Sequence, residues 1–404
     1  MLRIASPLGR GYARSAPLGG ASKEKLGTVR PTDATASGPL SDRKPRPRMN
    51  TPTASSPIEP SPSPAPPAVP ATARWSNPHR LLPRVRWAVQ LAYLAFVALV
   101  GLEFARFVSQ ATSDGPLTAS RPPAVEGFLP IAALVGLKRF LLTRYWDEVH
   151  PAGLAILLAA VATSLLARKA FCSWVCPVGT ISRALEWVGR RTLWRRRWPA
   201  VPRWLDLPLA SLKYLLLGFF AWSVAQMPLD AIEGFLRSPY NAAADAKMLL
   251  FFRHPSTTAL AVMGALVALS LLVKHFWCRY LCPYGALLGV ASLLSPLSVR
   301  RDPEACNDCR ACTRACPAEI PVHARLRVIS SECTGCMSCV AACTTPDCLG
   351  VTRKGARSLS PWLVPAVALS TMLAFWGLAR ATGFWETSLS AEAFRLAYRI
   401  MGIE

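Results

Sequence analysis

The stretch Phe171-Cys-Ser-Trp-Val-Cys-Pro-Val-Gly179 places two thiols four positions apart, where an apolar run meets a cluster of arginines. It has a twin, Trp277-Cys-Arg-Tyr-Leu-Cys-Pro-Tyr-Gly285, with an aromatic before the first cysteine and Pro-x-Gly after the second. The likeness extends upstream. Glu126-Gly-Phe-Leu129 returns as Glu233-Gly-Phe-Leu236, 46 and 45 residues before the respective first cysteines, and His150-Pro151 returns as His254-Pro255. One unit therefore occurs twice: a span, EGFL, a short amphipathic segment, His-Pro, a second span and CxxxCPxG. Both copies begin and finish on the same side, which predicts a parallel duplication about an axis along the membrane normal.

That symmetry brings Cys172, Cys176, Cys278 and Cys282 to equivalent positions. Residues at i and i+4 share one helix face, so two such faces meeting at the axis present four sulfurs, the ligand count of an iron-sulfur cluster. The Pro-x-Gly after each pair is expected to end the helix and free backbone N–H groups for the sulfurs. Redox-active or copper-binding thiols, and simple buried cysteines, stay open as the other readings.

Of the 404 residues, 52% are hydrophobic and only 17% charged, which excludes an ordinary soluble domain. Five segments have the length and apolarity of transmembrane helices: near 87–108, 151–167, 207–228, 256–274 and 361–379. A sixth run, Phe128 to Leu142, is broken by Lys138 and Arg139 and reads as interfacial or re-entrant. The net charge of +23 is topological rather than a nucleic-acid footprint. Lys and Arg number fourteen in 1–86, nine in 168–206 and ten in 275–360, against four, three and three in 109–150, 229–255 and 380–404. By the positive-inside rule the chain is expected to be a multi-pass membrane protein with five spans, N-terminus in and C-terminus out.

Residues 1–80 are rich in Pro, Ser and Arg, lack the apolar core of a signal peptide, and read as a disordered cytoplasmic tail. Met49 follows a basic run and is an alternative start. The domain reading continues with membrane repeat 1 at 84–180, a basic loop at 181–206, membrane repeat 2 at 207–290, a soluble insert at 300–350, a last transmembrane helix at 361–379 and an outward tail at 380–404.

The insert carries eight of the thirteen cysteines. Cys306, Cys309, Cys312 and Cys316, then Cys333, Cys336, Cys339 and Cys343, spell C-x2-C-x2-C-x3-C twice, the bacterial ferredoxin spacing. In such modules the fourth cysteine of each run serves the other cluster. One 4Fe-4S cluster is therefore assigned Cys306, Cys309, Cys312 and Cys343, the other Cys333, Cys336, Cys339 and Cys316. A zinc ribbon is the bland alternative for any CxxC pair. Cys348 is an extra thiol, either a free buried one or a substitute for Cys343. The fold class expected is an all-α polytopic membrane protein with an inserted small α+β two-cluster ferredoxin-like domain.

His150 and His254 open the cysteine-bearing spans at their outward ends, where a quinone, a haem or an outside redox partner could approach; the alternative is an interfacial histidine beside a first-turn proline. Glu126 and Glu233 relay protons or cap helices, Glu103 and Arg106 pair with each other, and Lys213 snorkels. No catalytic triad, P-loop or dinucleotide fingerprint is present. Cytoplasmic cysteines argue against permanent disulfides.

Taken as a set, FCSWVCPVG, WCRYLCPYG, CNDCRACTRACP and CTGCMSCVAAC resemble the NosR/NapH-type membrane polyferredoxins, which include relatives of the oxidase assembly factor CcoG. The resemblance covers roughly residues 84–350. It implies electron transfer in a bacterial inner membrane, linking the quinone pool or cytoplasmic donors to periplasmic reductases or their maturation. The chain departs from NosR in having no outward domain large enough for a covalent flavin, so no flavin is expected. The primary functional expectation is an electron relay with two 4Fe-4S clusters and a third at the CxxxCP thiols. A copper- or iron-ion reductase or cofactor-maturation factor, and a structural anchor with inert clusters, are the rivals.

Overall fold

The structure, a computed structural model, describes residues 77–194, 201–353 and 358–403. The tail read over 1–80 and the start at Met49 lie outside the described residues, except for 77–80. The chain is mostly helical. The first repeat contains α1 (Leu82–Thr112), a 3-10 turn (Pro123–Phe128), α2 (Pro130–Thr143), α3 (Pro151–Ala167), α4 (Ala170–Trp174) and α5 (Pro177–Thr192). The second contains α6 (Arg203–Gln226), α7 (Leu229–Leu236), α8 (Pro239–Ala242), α9 (Ala244–Arg253), α10 (Thr257–Leu272), a π-helical turn (Trp277–Leu281) and α11 (Pro283–Ser292).

Among the described residues, three helices are long and apolar enough to cross a membrane: Pro78–Thr112, Trp204–Gln226 and Leu363–Ala381. The two expected spans that lead into the cysteines are shorter. α3 has 17 residues and α10 has 16, about 25 Å at 1.5 Å per residue against a hydrocarbon core of about 30 Å. α9 and α10 form a pair bent by 78°. The physical cause of the short α3 is local. Pro151 opens it, and Arg168 (φ 62°, ψ −165°) ends it in a region costly for a residue with a Cβ. Arg168 is held there by its N–H to Ser295 Oγ and its guanidinium to the carbonyls of Ser292 and Ser330.

The interrupting charges of the sixth run are structural. Lys138 donates to the carbonyls of Val224, Ala225 and Met227 at the end of α6, completing a helix C-terminus with a cation. Arg139 reaches Glu233 and the Trp146 carbonyl.

The insert is an antiparallel sheet in the order β2-β1-β3-β4: β1 is Leu297–Arg301, β2 Arg327–Val328, β3 Leu349–Arg353 and β4 Ser358–Leu359. β1 and β3 pair from Leu297↔Arg353 to Arg301↔Leu349. Two four-residue helices, α12 (Ala311–Arg314) and α13 (Ser338–Ala341), follow the two CxxC loops. Each is entered through the same backbone: Asp308 and Arg310 in one run, Gly335 and Met337 in the other, all with φ between 51° and 61°. The core of the sheet, including Val299 and Val351, is continuous with Trp174 on α4 and with Val364 and Ala368 on α14 (Leu363–Ala381). A final helix, α15 (Ala391–Ile400), packs Phe394 and Tyr398 on Phe107 of α1.

Lys213 does not snorkel. Its side chain is fully buried on α6, with Nζ 2.6 Å from Glu332 Oε1, because the insert folds back over this face and supplies the carboxylate. Glu103 and Arg106, expected to pair, are both exposed on α1 and outside the ion pairs found among the described residues.

Candidate iron-sulfur site

Cys172 lies on α4 and Cys278 in the π-helical turn; Cys176 and Cys282 are the N-cap residues of α5 and α11. The pairs therefore do not share one continuous helix face. The proline expected to end each helix instead opens the next one, at its first position, where a missing N–H costs nothing. Extended backbone at Cys176 (φ −63°, ψ 123°) and Cys282 (φ −74°, ψ 105°) aims each sulfur back over a helix start. The Gly285 N–H donates to Cys282 Sγ at 3.2 Å, and the Val178 and Gly179 N–H groups at the start of α5 lower the cost of charge on Cys176. The freed N–H groups thus come from a helix beginning, whose partial positive charge suits a thiolate. Glycine is required most at 179, where a Cβ would collide with the Cys172 carbonyl oxygen.

The two pairs face each other. All four thiols line a cavity of about 1230 Å³, and each lies within electrostatic reach of the others. Burial, reinforced by Cys278, pushes Cys176 up to about 12. Burial would raise Cys278 as well, but His275, Ser182 and Lys169 bring it below the usual thiol value. Burial and the neighbouring thiols raise Cys172, Cys176 and Cys282; removing that cost takes a shared positive centre, so the four thiols lining one space fit an iron-sulfur cluster. Among the described residues, no three His, Cys, Asp or Glu side chains stand close enough to hold a single metal ion.

In the insert the two runs cross. Cys316 lies with Cys333, Cys336 and Cys339 around a small void of about 20 Å³, and burial pushes its thiol up to about 12. Cys312 is coupled to Cys343 and Cys309, and Cys309 Sγ is 3.4 Å from Thr344 Oγ1 beside Cys343. Cys348 is buried against the same group, its thiol 3.8 Å from the Asp302 carbonyl and within electrostatic reach of Cys306 and Cys343.

The two loops have opposite surroundings. Asn307, Asp308, Cys309 and Arg310 are exposed. The second loop is seated on the membrane helices through its backbone: Ser173 Oγ donates to the Thr334 carbonyl, Trp174 Nε1 to Gly335, and Arg86 to Cys336. Asn77 adds bonds to the carbonyls of Val340, Ala341 and Cys343. Cys336 in consequence lines the same cavity as the four CxxxCP thiols. Sequence reasoning missed Arg86, Asn77 and Trp174, because a contact to a distant backbone carbonyl leaves no motif.

At the EGFL end, Glu126 and His150 are buried in one network. Arg121 donates to Glu126 at 2.7 Å and Asp245 at 2.8 Å, and Glu126 Oε2 caps α3 by accepting from the Gly153 N–H. His150 is engaged through both ring nitrogens, Nε2 2.8 Å from the Asn241 carbonyl and Nδ1 3.2 Å from Arg121. His254 is exposed at the end of α9, and Glu233 pairs with Arg139 at 2.6 Å.

A family model for a 4Fe-4S binding domain matches twice, at residues 149–198 and 256–301, and one for a 4Fe-4S dicluster domain matches 298–344. The "Putative electron transport protein YccM" of Escherichia coli is 43% identical over 317 residues, 77% of this chain and 88% of that protein. The chain belongs to the NosR/NapH-type membrane ferredoxin-like proteins. Among other members of this family, "Ferredoxin-type protein NapH" of Escherichia coli is 29% identical over 52% of this chain and 72% of its own length. "Regulatory protein NosR" of Pseudomonas aeruginosa is 32% identical over 46% of this chain and only 25% of its own. No solved structure matches. This NosR/NapH-type protein is thus an iron-sulfur protein with an electron-transfer role, and its candidate spans make it a membrane protein.

Proposed function

We propose that this protein is a three-station relay passing single electrons between the insert and a partner in, or across, an inner membrane. The stations are the exposed group Cys306, Cys309, Cys312 and Cys343, the seated group Cys333, Cys336, Cys339 and Cys316, and the paired Cys172, Cys176, Cys278 and Cys282. Bound at these thiols, 4Fe-4S clusters supply the one-electron chemistry. The observation that carries the reading is the single cavity lined both by Cys336 and by the four CxxxCP thiols. It sets the seated group beside the paired one, while the exposed group stays where a soluble donor or acceptor can dock. Ser173, Trp174 and Arg86 hold that seat without using a side chain of the loop, so its cysteines remain free as ligands.

The same cavity continues between apolar walls, Phe96, Phe128, Ile156 and Trp376 among them, toward the EGFL end. This supports a quinone as the membrane partner, with a periplasmic redox protein as the other candidate. The excess of Lys and Arg on the cysteine-side loops supports a cytoplasmic insert. As placed, His150 has both ring nitrogens engaged, so His254 is the histidine open to a partner at this end.

The test is anaerobic purification of the full chain with iron and sulfide analysis and EPR. Three clusters predict about twelve iron atoms per chain, and reduced protein reoxidised by added quinone. About eight iron atoms would remove the third station. Turnover of Cu(II) or Fe(III) with no quinone response would replace the relay with a metal reductase, and clusters inert to both would leave a structural anchor.

A further inference from the structure

The two repeats share another matched position, three residues before each first cysteine: Lys169 in one and His275 in the other. Both side chains are turned inward, 5% and 20% exposed, and both line the cavity of the four CxxxCP thiols. Each meets a carboxylate from a different element. Lys169 Nζ lies 3.7 Å from Glu332 Oε2, and His275 Nε2 lies 3.0 Å from Glu186 Oε2. Glu332 is already met at 2.6 Å by Lys213 and also accepts from Tyr214 at 3.2 Å. One carboxylate therefore serves two buried ammonium groups, which leaves one positive charge over. Besides Glu332, Lys213 and Tyr214, what faces Lys169 is thiols: Cys172, Cys278 and Cys282 all feel its charge. From the other side Ser182 Oγ lies 3.4 Å from Cys278 Sγ, and the charge of His275 reaches the same sulfur.

An ammonium this deep is costly unless negative charge lies near it. Four thiolates around an iron-sulfur core supply that charge, and each electron taken up adds to it. In a low-dielectric site a fixed cation then favours the reduced form. We infer that Lys169 and His275 are a symmetry-related pair of positioning residues that stabilise the reduced state of a cluster held by Cys172, Cys176, Cys278 and Cys282, and so raise its potential. Both do so by positive charge, Lys169 from one repeat and His275, beside Cys278, from the other.

This rests on the reading of the four thiols as cluster ligands, and the experiment separates the two. Iron content and EPR-monitored redox titration are measured on the full chain, wild type and the variants Lys169→Met, Lys169→Arg and His275→Leu. With about twelve iron atoms per chain, the Lys169→Met cluster is expected to be about tenfold less reduced at the wild-type midpoint, a shift of about 59 mV for one electron. Lys169→Arg should restore most of the shift, His275→Leu should move the midpoint in the same direction, and the signals of the two insert clusters should stay in place. Full iron with unmoved midpoints in Lys169→Met and His275→Leu would overturn the inference while leaving the third cluster standing. If Lys169→Met loses that cluster, recovery in Lys169→Arg supports the need for charge, and loss in both variants overturns it. About eight iron atoms in the wild type would instead remove the cluster reading itself, and this inference with it.

Discussion

At their cysteine ends the two repeats stay alike; at their EGFL ends they do not. Cys176 and Cys282 are both the N-cap residue of a helix that opens with proline, and both sulfurs lie at the N–H groups of its first turn, Cys282 accepting from Gly285. Glu126, by contrast, is fully buried with Arg121, Asp245 and His150, whereas its counterpart Glu233 is 31% exposed and His254 lies at the surface. The difference follows from what each end must meet. The cysteine ends converge on one cavity, so a change in either copy is felt by both. The EGFL ends also touch across the repeats, Arg121 reaching Asp245 and Arg139 reaching Glu233, but the two glutamates sit in separate networks and can diverge. A repeat in sequence is therefore a repeat in environment only where the copies share a site.

Breaking the shared end should have the largest effect. A Cys172→Ser/Cys278→Ser double variant is expected to lose one cluster, about four of about twelve iron atoms, by elemental analysis and EPR. The unlike ends should differ in stability. Glu126→Gln leaves Arg121 short of a buried partner and should cost about 3–5 kcal/mol. Glu233→Gln, at a partly exposed pair, should cost about 1 kcal/mol or less; both are readable as thermal unfolding in detergent, and equal shifts would erase the contrast. Within the alike ends, Gly179→Ala forces a Cβ onto the Cys172 carbonyl and should cost about 1–3 kcal/mol, whereas at Gly285 the nearest atom is Cys282 Sγ at an ordinary 3.5 Å. Gly285→Ala should then be near neutral in both melting temperature and iron content. The smallest effect is expected of Lys138→Met, which uncaps α6 for about 1 kcal/mol.

Much of this was legible along the chain. The ferredoxin spacing, the twin CxxxCPxG motifs and the apolar runs are local patterns, and local patterns report what neighbouring residues must do together. The membrane span lengths were less legible. The run at 151–167 has the right boundaries for α3, yet a 17-residue helix is short for a span, a fact that composition does not weigh. The Pro-x-Gly signal marks a helix boundary, and in the fold it acts at the start of the following helix, since proline can stop one helix and start the next with the same ring. Lys213 looked like an interfacial lysine because its partner, Glu332, is 119 positions away.

The sequence by itself determined that this is a mostly helical membrane protein of the iron-sulfur class, with a duplicated cysteine unit and a two-run ferredoxin insert. Those properties reside in spacing and hydropathy, which are written in consecutive residues. Only the tertiary structure decided that the second CxxC loop is the one seated on the membrane helices, that the CxxxCP thiols share a cavity with Cys336, and that Lys169 and His275 flank them. Such pairings depend on where distant backbone carbonyls and carboxylates come to rest, and they are settled by packing.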